Sequence, residues 1–496
     1  MPWIETHRLA PGESPPFAQQ IYNGLDCALT SEVLGAIKRH HNDIPLIYGF
    51  ERALQAPALE MMLRGWKVDG YRRRKGTETL HARVRHIDNI LQRLAFAVWG
   101  KGLNPKSTPQ LCNFFYKTMG IKEIWINDKG KRRLAANREA LEKIELHLYA
   151  RPIVACILAI RELSKLLDVL QTDIDSDGRM RTSYNIAGTE TGRWSSSQSS
   201  ANTGTNLQNI TGELRDMFIS DPGYRLVGID LEQAESREVG WLAGTLFGDW
   251  QYYDACLGGD LHTTTAKLIW PDLVWPGVPS ADKELAEQPF YRHFSRRDMA
   301  KRGGHGSNYY GTPFTMARHL KVPTRLMEDF QRNYFGAFPG IPRWHRWVAQ
   351  QLQQTQRLVT PFGRERHFFG RPNDDATLRE AIAFSPQSST ADRMNLVLWR
   401  LWKYMGTEMQ LLGQVHDAVY FQIPESAEVD DLLTRALALF DIPVTHPSGR
   451  KLIVPGEAKI GWNWGNYGPQ NPEGLKKWKA GVPDTRKRAV GVDLVL

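Results

Sequence analysis

The chain has 496 residues, 42% of them hydrophobic and 24% charged, ordinary proportions for folded protein and wrong for a disordered, collagen-like or coiled-coil chain. Lysine plus arginine outnumber aspartate plus glutamate by 63 to 54, a formal +9, which permits a polyanionic partner such as nucleic acid. Cys27, Cys112, Cys156 and Cys256 are scattered, which excludes a disulfide scaffold or a CxxC zinc site and fits a reducing compartment.

Residues 1–20 are Pro-rich and read as an irregular lead-in with neither the basic start nor the apolar run of a signal peptide. The pattern from Tyr22 to Arg39 is amphipathic and helical, and 50–66 reads as a second helix ending at Gly65, before the extended WKVDG. Helical patterning then covers 72–98 and 135–170, interrupted by LNPKSTPQL. The longest purely apolar run, Ile153 to Ile160, is far short of a membrane span. The expectation is a soluble, multidomain, cytoplasmic protein, in the host cytoplasm if phage-encoded.

From Ile174 to Ile210 the chain turns rich in Gly, Ser, Thr and Asn, like a linker, yet carries Arg179, Arg181, Tyr184 and Arg193, which a linker does not need. GYRLVGID reads as a strand closing on Asp230, followed by a helix. Residues 268–292 read as an irregular Trp/Pro-rich insertion, and helices follow to 350. MQLLGQV and AVYFQI alternate as two strands of a hairpin with His416 and Asp417 at its tip. The tail, 469–496, is basic and aperiodic.

Read singly, Asp230 and Asp417 merely end their strands. Together on one sheet they would repel unless cations sat between them, the arrangement of a two-metal site. In SRRDMAKRGGHGSNYYG, Arg297, Lys301, His305 and Tyr309 recur every four residues, one slowly drifting helical stripe able to clamp a triphosphate and stack on a base. Gly303, Gly304 and Gly306 each cost about 1 kcal/mol in a helix. By propensity the segment is a phosphate-cradling loop or an easily bent helix; a solvated basic face is the plainer alternative.

In order along the chain, TETGRWSS and LQNI, DLEQAESREV, DLHTTTA, RRDMAKRGGHGSNYYG and QVHDAV resemble the conserved segments of family A DNA polymerases, those like DNA polymerase I. WKVDG, LNPKSTPQL and RELSKL resemble the thumb, so the likeness runs from about Gly65 to Trp464. It implies an α+β right-hand fold. Its expected parts are an exonuclease-like remnant (1–64), thumb (65–172), palm (173–245 and 385–468), fingers (246–384) and a basic tail (469–496).

The implied activity is template-directed addition of deoxynucleoside triphosphates to a primer 3′ hydroxyl, in DNA replication, with gap filling, lesion bypass or an inactive DNA-binding scaffold as alternatives. The resemblance assigns two Mg²⁺, or Mn²⁺ in substitution, to Asp230, Asp417 and the Leu231 carbonyl. It assigns nucleotide contacts to Arg297, Lys301, His262, His305, Tyr309, Glu235 and Gln233. Lys301 would also protonate pyrophosphate, and Glu235 would exclude a 2′ hydroxyl. DNA contacts fall to Arg193, Gln387, Arg379, Gln208, Lys165 and His416.

The sequence departs from the family pattern at His305 (usually Phe or Tyr), Ala418 (usually Glu), Ala383 (usually Asn) and Glu232 (usually Ser). Near the N-terminus, Tyr22 and Asp26 resemble the last motif of a 3′–5′ exonuclease, but one Asp cannot build a two-metal editing site. No intrinsic proofreading is expected, and a separate exonuclease subunit or a processivity factor is an expected partner. The terminal GVDLVL resembles a clamp-docking peptide less well than it does an ordinary chain end.

Overall fold

A computed structural model describes residues 17–40, 46–128, 130–292, 294–482, 484–486 and 488. The expected clamp-like GVDLVL and most of the N-terminal lead-in lie outside these residues. The chain forms two compact units, Met1–Gln55 and Ala56–Leu496. The first contains helix α1 (Phe17–His40), which takes in 17–20 of the expected irregular lead-in and carries Tyr22 and Asp26 one turn apart.

In the second unit Gly65 adopts φ +62, and a Cβ there would lie 2.6 Å from the Arg181 side chain. The chain thereby turns into Trp66–Val68, the central strand of a three-stranded sheet. Asp69 then caps helix α2 (Gly70–Trp99), accepting from the amides of Tyr71 and Arg72 at 3.0 Å each. Helix α3 (Arg151–Gln171) packs on α2 through two buried clusters, one holding Leu80, Leu163 and Leu167, the other Leu91, Ala95 and Ile157. Between them the hairpin Trp125–Asp128/Lys131–Leu134 was hidden in the sequence, because Lys131, Arg132 and Arg133 mask the strand alternation.

Strand β1 (Tyr224–Leu231) feeds helix α4 (Ala234–Phe247) through Gln233, at φ 54. Helix α5 (Leu261–Ile269) follows, then α6 (Pro279–Glu287). The expectation of an irregular 268–292 therefore needs correcting. Pro279 starts a helical turn, and buried Asp282 pins it by accepting from Lys267 Nζ (2.5 Å) and the Gly277 amide (2.9 Å).

Helix α7 (Arg296–Asn308) resolves the glycine problem in favour of a helix. A Cβ on Gly303 would lie 2.6 Å from the Phe330 ring, and one on Gly306 would lie 2.5 Å from Met316 Sδ. The glycines let helix α8 (Thr324–Ala337), which carries Phe330 and Tyr334, approach closely. Helix α9 (Asp375–Met405) then returns the chain to the sheet.

Strands β2 (Gln410–Val415), β3 (Ala418–Pro424), β4 (Gly456–Gly461) and β5 (Lys476–Lys477) complete a five-stranded sheet in the order β2-β3-β1-β4-β5. Every pairing is antiparallel, so the architecture is α+β as expected. One row of the register reads Ala418, Asp230, Glu457 across three strands. Trp66, Phe218, Tyr420 and Trp464 pack together beside the sheet, the two indoles stacked at 4.6 Å. The tail, read as aperiodic, contributes β5, because Leu475 is buried and Arg486 Nη2 donates to the Ile460 carbonyl at 2.7 Å. Among the described residues no helix is long and apolar enough to cross a membrane.

Candidate active site

Asp230 lies near the end of β1, and Asp417 sits in the two-residue turn between β2 and β3, after His416 at φ 57. The Leu231 amide donates to the Asp417 carbonyl at 3.0 Å, so backbone pairing holds the two aspartates side by side. Burial first, then the Asp417 and Glu457 charges, pushes the Asp230 carboxyl up to about 7 against the pull of Lys459 and Arg215. Asp417 is also raised, chiefly by burial and next by Glu235, while Arg193 and His416 oppose.

The turn is buttressed from below. Gln208, expected at DNA, is buried, and its amide donates to Gln414 Oε1 at 2.8 Å; the Gln414 amide in turn donates to the His416 carbonyl. Tyr184 Oη adds a bond to the Gln414 carbonyl at 3.3 Å.

Glu235, in the first turn of α4, accepts from both Arg193 and Tyr309 Oη, joining three segments of the chain. Burial and the Glu235 charge raise the Tyr309 phenol well above its ordinary value, so it stays protonated and donates. Gln233 Nε2 donates to the Gly259 carbonyl at 3.2 Å, tying the β1–α4 turn to the start of α5.

Arg297, Lys301 and His305 line one side of α7, Lys301 and His305 exposed, with the His305 ring 4.8 Å from that of Tyr309. Arg297 is already paired, with Nε 2.7 Å and Nη2 3.1 Å from the Asp260 carboxylate. Asp260 also caps α5 through the amides of His262 (3.2 Å) and Thr263 (3.4 Å). Burial raises the Asp260 carboxyl, but bonds from Arg297 and Thr263 outweigh it and hold it at about 2. His262 is lowered to about 4 by burial, then by Arg297, Lys301 and His305, so it is neutral at neutral pH.

The model of DNA polymerase family A matches residues 74–466. The chain belongs to this family. It is 30% identical over 436 residues to the thermostable DNA polymerase I of Thermus aquaticus, covering 83% of this chain and 47% of that protein. It is 28% identical over 477 residues to DNA polymerase I of Chloroflexus aurantiacus, covering 90% of this chain and 46% of the relative. The chain thus spans about half the length of the curated relatives it matches. A solved POL domain of Pol1 from M. smegmatis, in complex with DNA primer-template and dNTP, has the same fold at TM-score 0.66 and 24% identity over 83% of this chain and 69% of that one.

Arg379 is exposed on α9 and, with Tyr310, Gly311, Phe335 and His345, lines a cavity of about 610 Å³. Gln387 is half-buried on the same helix. Lys165 lines a second cavity of about 1270 Å³ with Arg83, Lys106, Arg133, Arg138 and Arg161, cations that sequence reading did not single out. It also missed Glu457, whose place opposite Asp230 comes only from the β1–β4 register. Glu457 pairs with Lys477 and, at 3.7 Å, with Lys459. Among the described residues no group of three or more His, Cys, Asp or Glu could hold a metal ion.

Proposed function

We propose that this chain is a template-directed DNA polymerase that extends a primer 3′ hydroxyl with deoxynucleoside triphosphates. In this reading 65–172 form the thumb, 173–245 with 385–468 the palm, and 246–384 the fingers. Residues 1–64 are an exonuclease-like remnant and 469–496 a basic flank. The observation that carries it is the pair of half-buried aspartates held together by adjacent strands, with the Glu235–Arg193–Tyr309 network beside them. Two hard-oxygen carboxylates fit a cation that keeps water and substrate phosphates as its other ligands.

Family A polymerases generally depend on a divalent metal. Here Asp230, Asp417 and the Leu231 carbonyl would hold two Mg²⁺, or Mn²⁺ in their place, supplying charge neutralisation at the reacting phosphate. Arg297, Lys301 and His262 bind the triphosphate; Arg297 does so by exchanging a carboxylate fork for a phosphate one. Neutral His262 contributes a hydrogen bond without a charge. Lys301 hands a proton to the leaving pyrophosphate. Glu235 sits under the sugar and rejects a 2′ hydroxyl, braced by Tyr309, with Gln233 at the nucleotide and His305 on the 3′ side. Arg193 and Gln387 donate to minor-groove acceptors shared by all correct pairs. Arg379 meets the template, Lys165 the duplex backbone and His416 the primer end, while Gln208 props the turn that bears His416.

We place this activity in DNA replication, tested by processivity on a long primed circle. Asp26 is the single editing-type carboxylate carried over, so this chain should not shorten primers; a separate 3′–5′ exonuclease subunit or a processivity factor would be its partner. The deciding experiment is a labelled primer-template with Mg²⁺, with and without the four deoxynucleotides, beside Asp417→Ala. Template-dependent extension lost in the variant, with no shortening when nucleotides are omitted, is the expected result. Shortening would refute the editing statement, and equal extension by Asp417→Ala would refute the metal assignment.

A further inference from the structure

The family match ends at residue 466, yet the chain beyond it joins the sheet. Strand β5 pairs with β4 so that Lys477 lies directly opposite Lys459. Lys459 is opposite Gly228 on β1, two residues from Asp230, so both lysines lie on the Asp230 face of the sheet.

Two lysines directly opposite each other cost rather than stabilise. Among the described residues Glu457 is the carboxylate paired with both, one negative charge for two positive ones. The fold does not need them, because the segment is anchored elsewhere. Leu475 is buried, Trp478 Nε1 donates to Asp430 at 2.8 Å, and Arg486 binds the Ile460 and Gly474 carbonyls and Asp484, which pairs with Arg225. Both lysines are at least partly exposed, Lys477 the more so.

We infer that the chain beyond 466 completes a phosphate-binding ledge, in which Lys459 and Lys477 hold the backbone of the primer strand just upstream of its 3′ end. The inference rests on the polymerase reading. Strand geometry puts the Lys459 Cα about 8 Å and the Lys477 Cα about 12 Å from that of Asp230. At about 3.4 Å of rise per nucleotide, that span covers the last two or three linkages of a primer whose end lies at the aspartates.

The test is binding of a labelled primer-template, without nucleotides, from 50 to 200 mM KCl. Each phosphate contact adds about 0.9 to the salt slope, so Lys459→Ala/Lys477→Ala should lower the slope by about 2. Wild type should lose about tenfold more affinity than the variant across that range, and Lys477→Arg should keep the wild-type slope. With the wild-type protein, neutral methylphosphonates at the last three primer linkages should weaken binding, and the same changes opposite, in the template, should not. An unchanged slope in the double variant, or equal effects from both strands, overturns the ledge. Should wild type bind primer-template without extending it, the polymerase reading fails instead.

Discussion

Gly303 offers a test in which two effects of known size oppose each other. Gly303→Ala on α7 gains about 1 kcal/mol of helix propensity. The new methyl, however, would stand 2.6, 2.7 and 3.0 Å from three atoms of the Phe330 ring. That ring cannot retreat: it is 2% exposed and stacked on Tyr334 at 5.8 Å. Overpacking a close-packed core costs about 1–3 kcal/mol, and three sub-contact distances put this case at the upper end. The net is a loss of about 2 kcal/mol. For a unit of about 440 residues, unfolding entropy near 2.1 cal/mol/K per residue turns that into a Tm about 2 °C lower. Gly336, on α8 with no atom within 4 Å of a Cβ, is the control, and its Ala variant should gain up to about 1 kcal/mol. Thermal melts of both variants, with Gly303→Ala/Phe330→Leu to relieve the clash, decide the matter. A Gly303→Ala protein as stable as Gly336→Ala would refute the packing account and leave α7's glycines unexplained. Because α7 carries Arg297 and Lys301, the same variant should raise the nucleotide KM more than it lowers kcat.

Three further outcomes are expected. Glu235→Ala should raise ribonucleotide over deoxynucleotide incorporation by about tenfold or more, about 1.4 kcal/mol of discrimination, measured as a ratio of kcat/KM. Arg393 and Glu238 are wholly buried together, with Nη2 3.5 Å from Oε1. Arg393→Met should cost about 3–5 kcal/mol by stranding a charge, and Glu238→Leu/Arg393→Met should recover most of it in urea unfolding. Asp260 is held at about 2, below its ordinary 3.8, so its stabilisation is complete above pH 4 and is lost as pH falls from about 4 to 2. Asp260→Asn should flatten that acid limb by up to about 2 kcal/mol; an unchanged limb would remove the Arg297 pairing as its cause.

The parts legible in sequence were those whose signal is local. The alternation of GYRLVGID and of the His416–Asp417 hairpin gave the strands carrying both aspartates, and the four-residue recurrence gave the cationic side of α7. What stayed hidden depends on contacts distant in sequence. Nothing in GEAKIG marks Glu457 as a neighbour of Asp230; only the antiparallel register does. The glycines of α7 argued against a helix until Phe330 and Met316 supplied the reason for them. Gln208 read as a ligand-facing amide because its partner, Gln414, is 206 residues away.

Asp230 rides on an interior strand that is bonded along both edges by long pairings, to β3 and to β4. Its direction is therefore fixed twice over, and inserting or deleting a single residue within Leu226–Asp230 would turn the carboxylate to the opposite face. Laboratory evolution of this chain toward altered substrates should accept substitutions around its cavities while purging length changes in β1. In hydrogen exchange the β1 amides should be among the last to open.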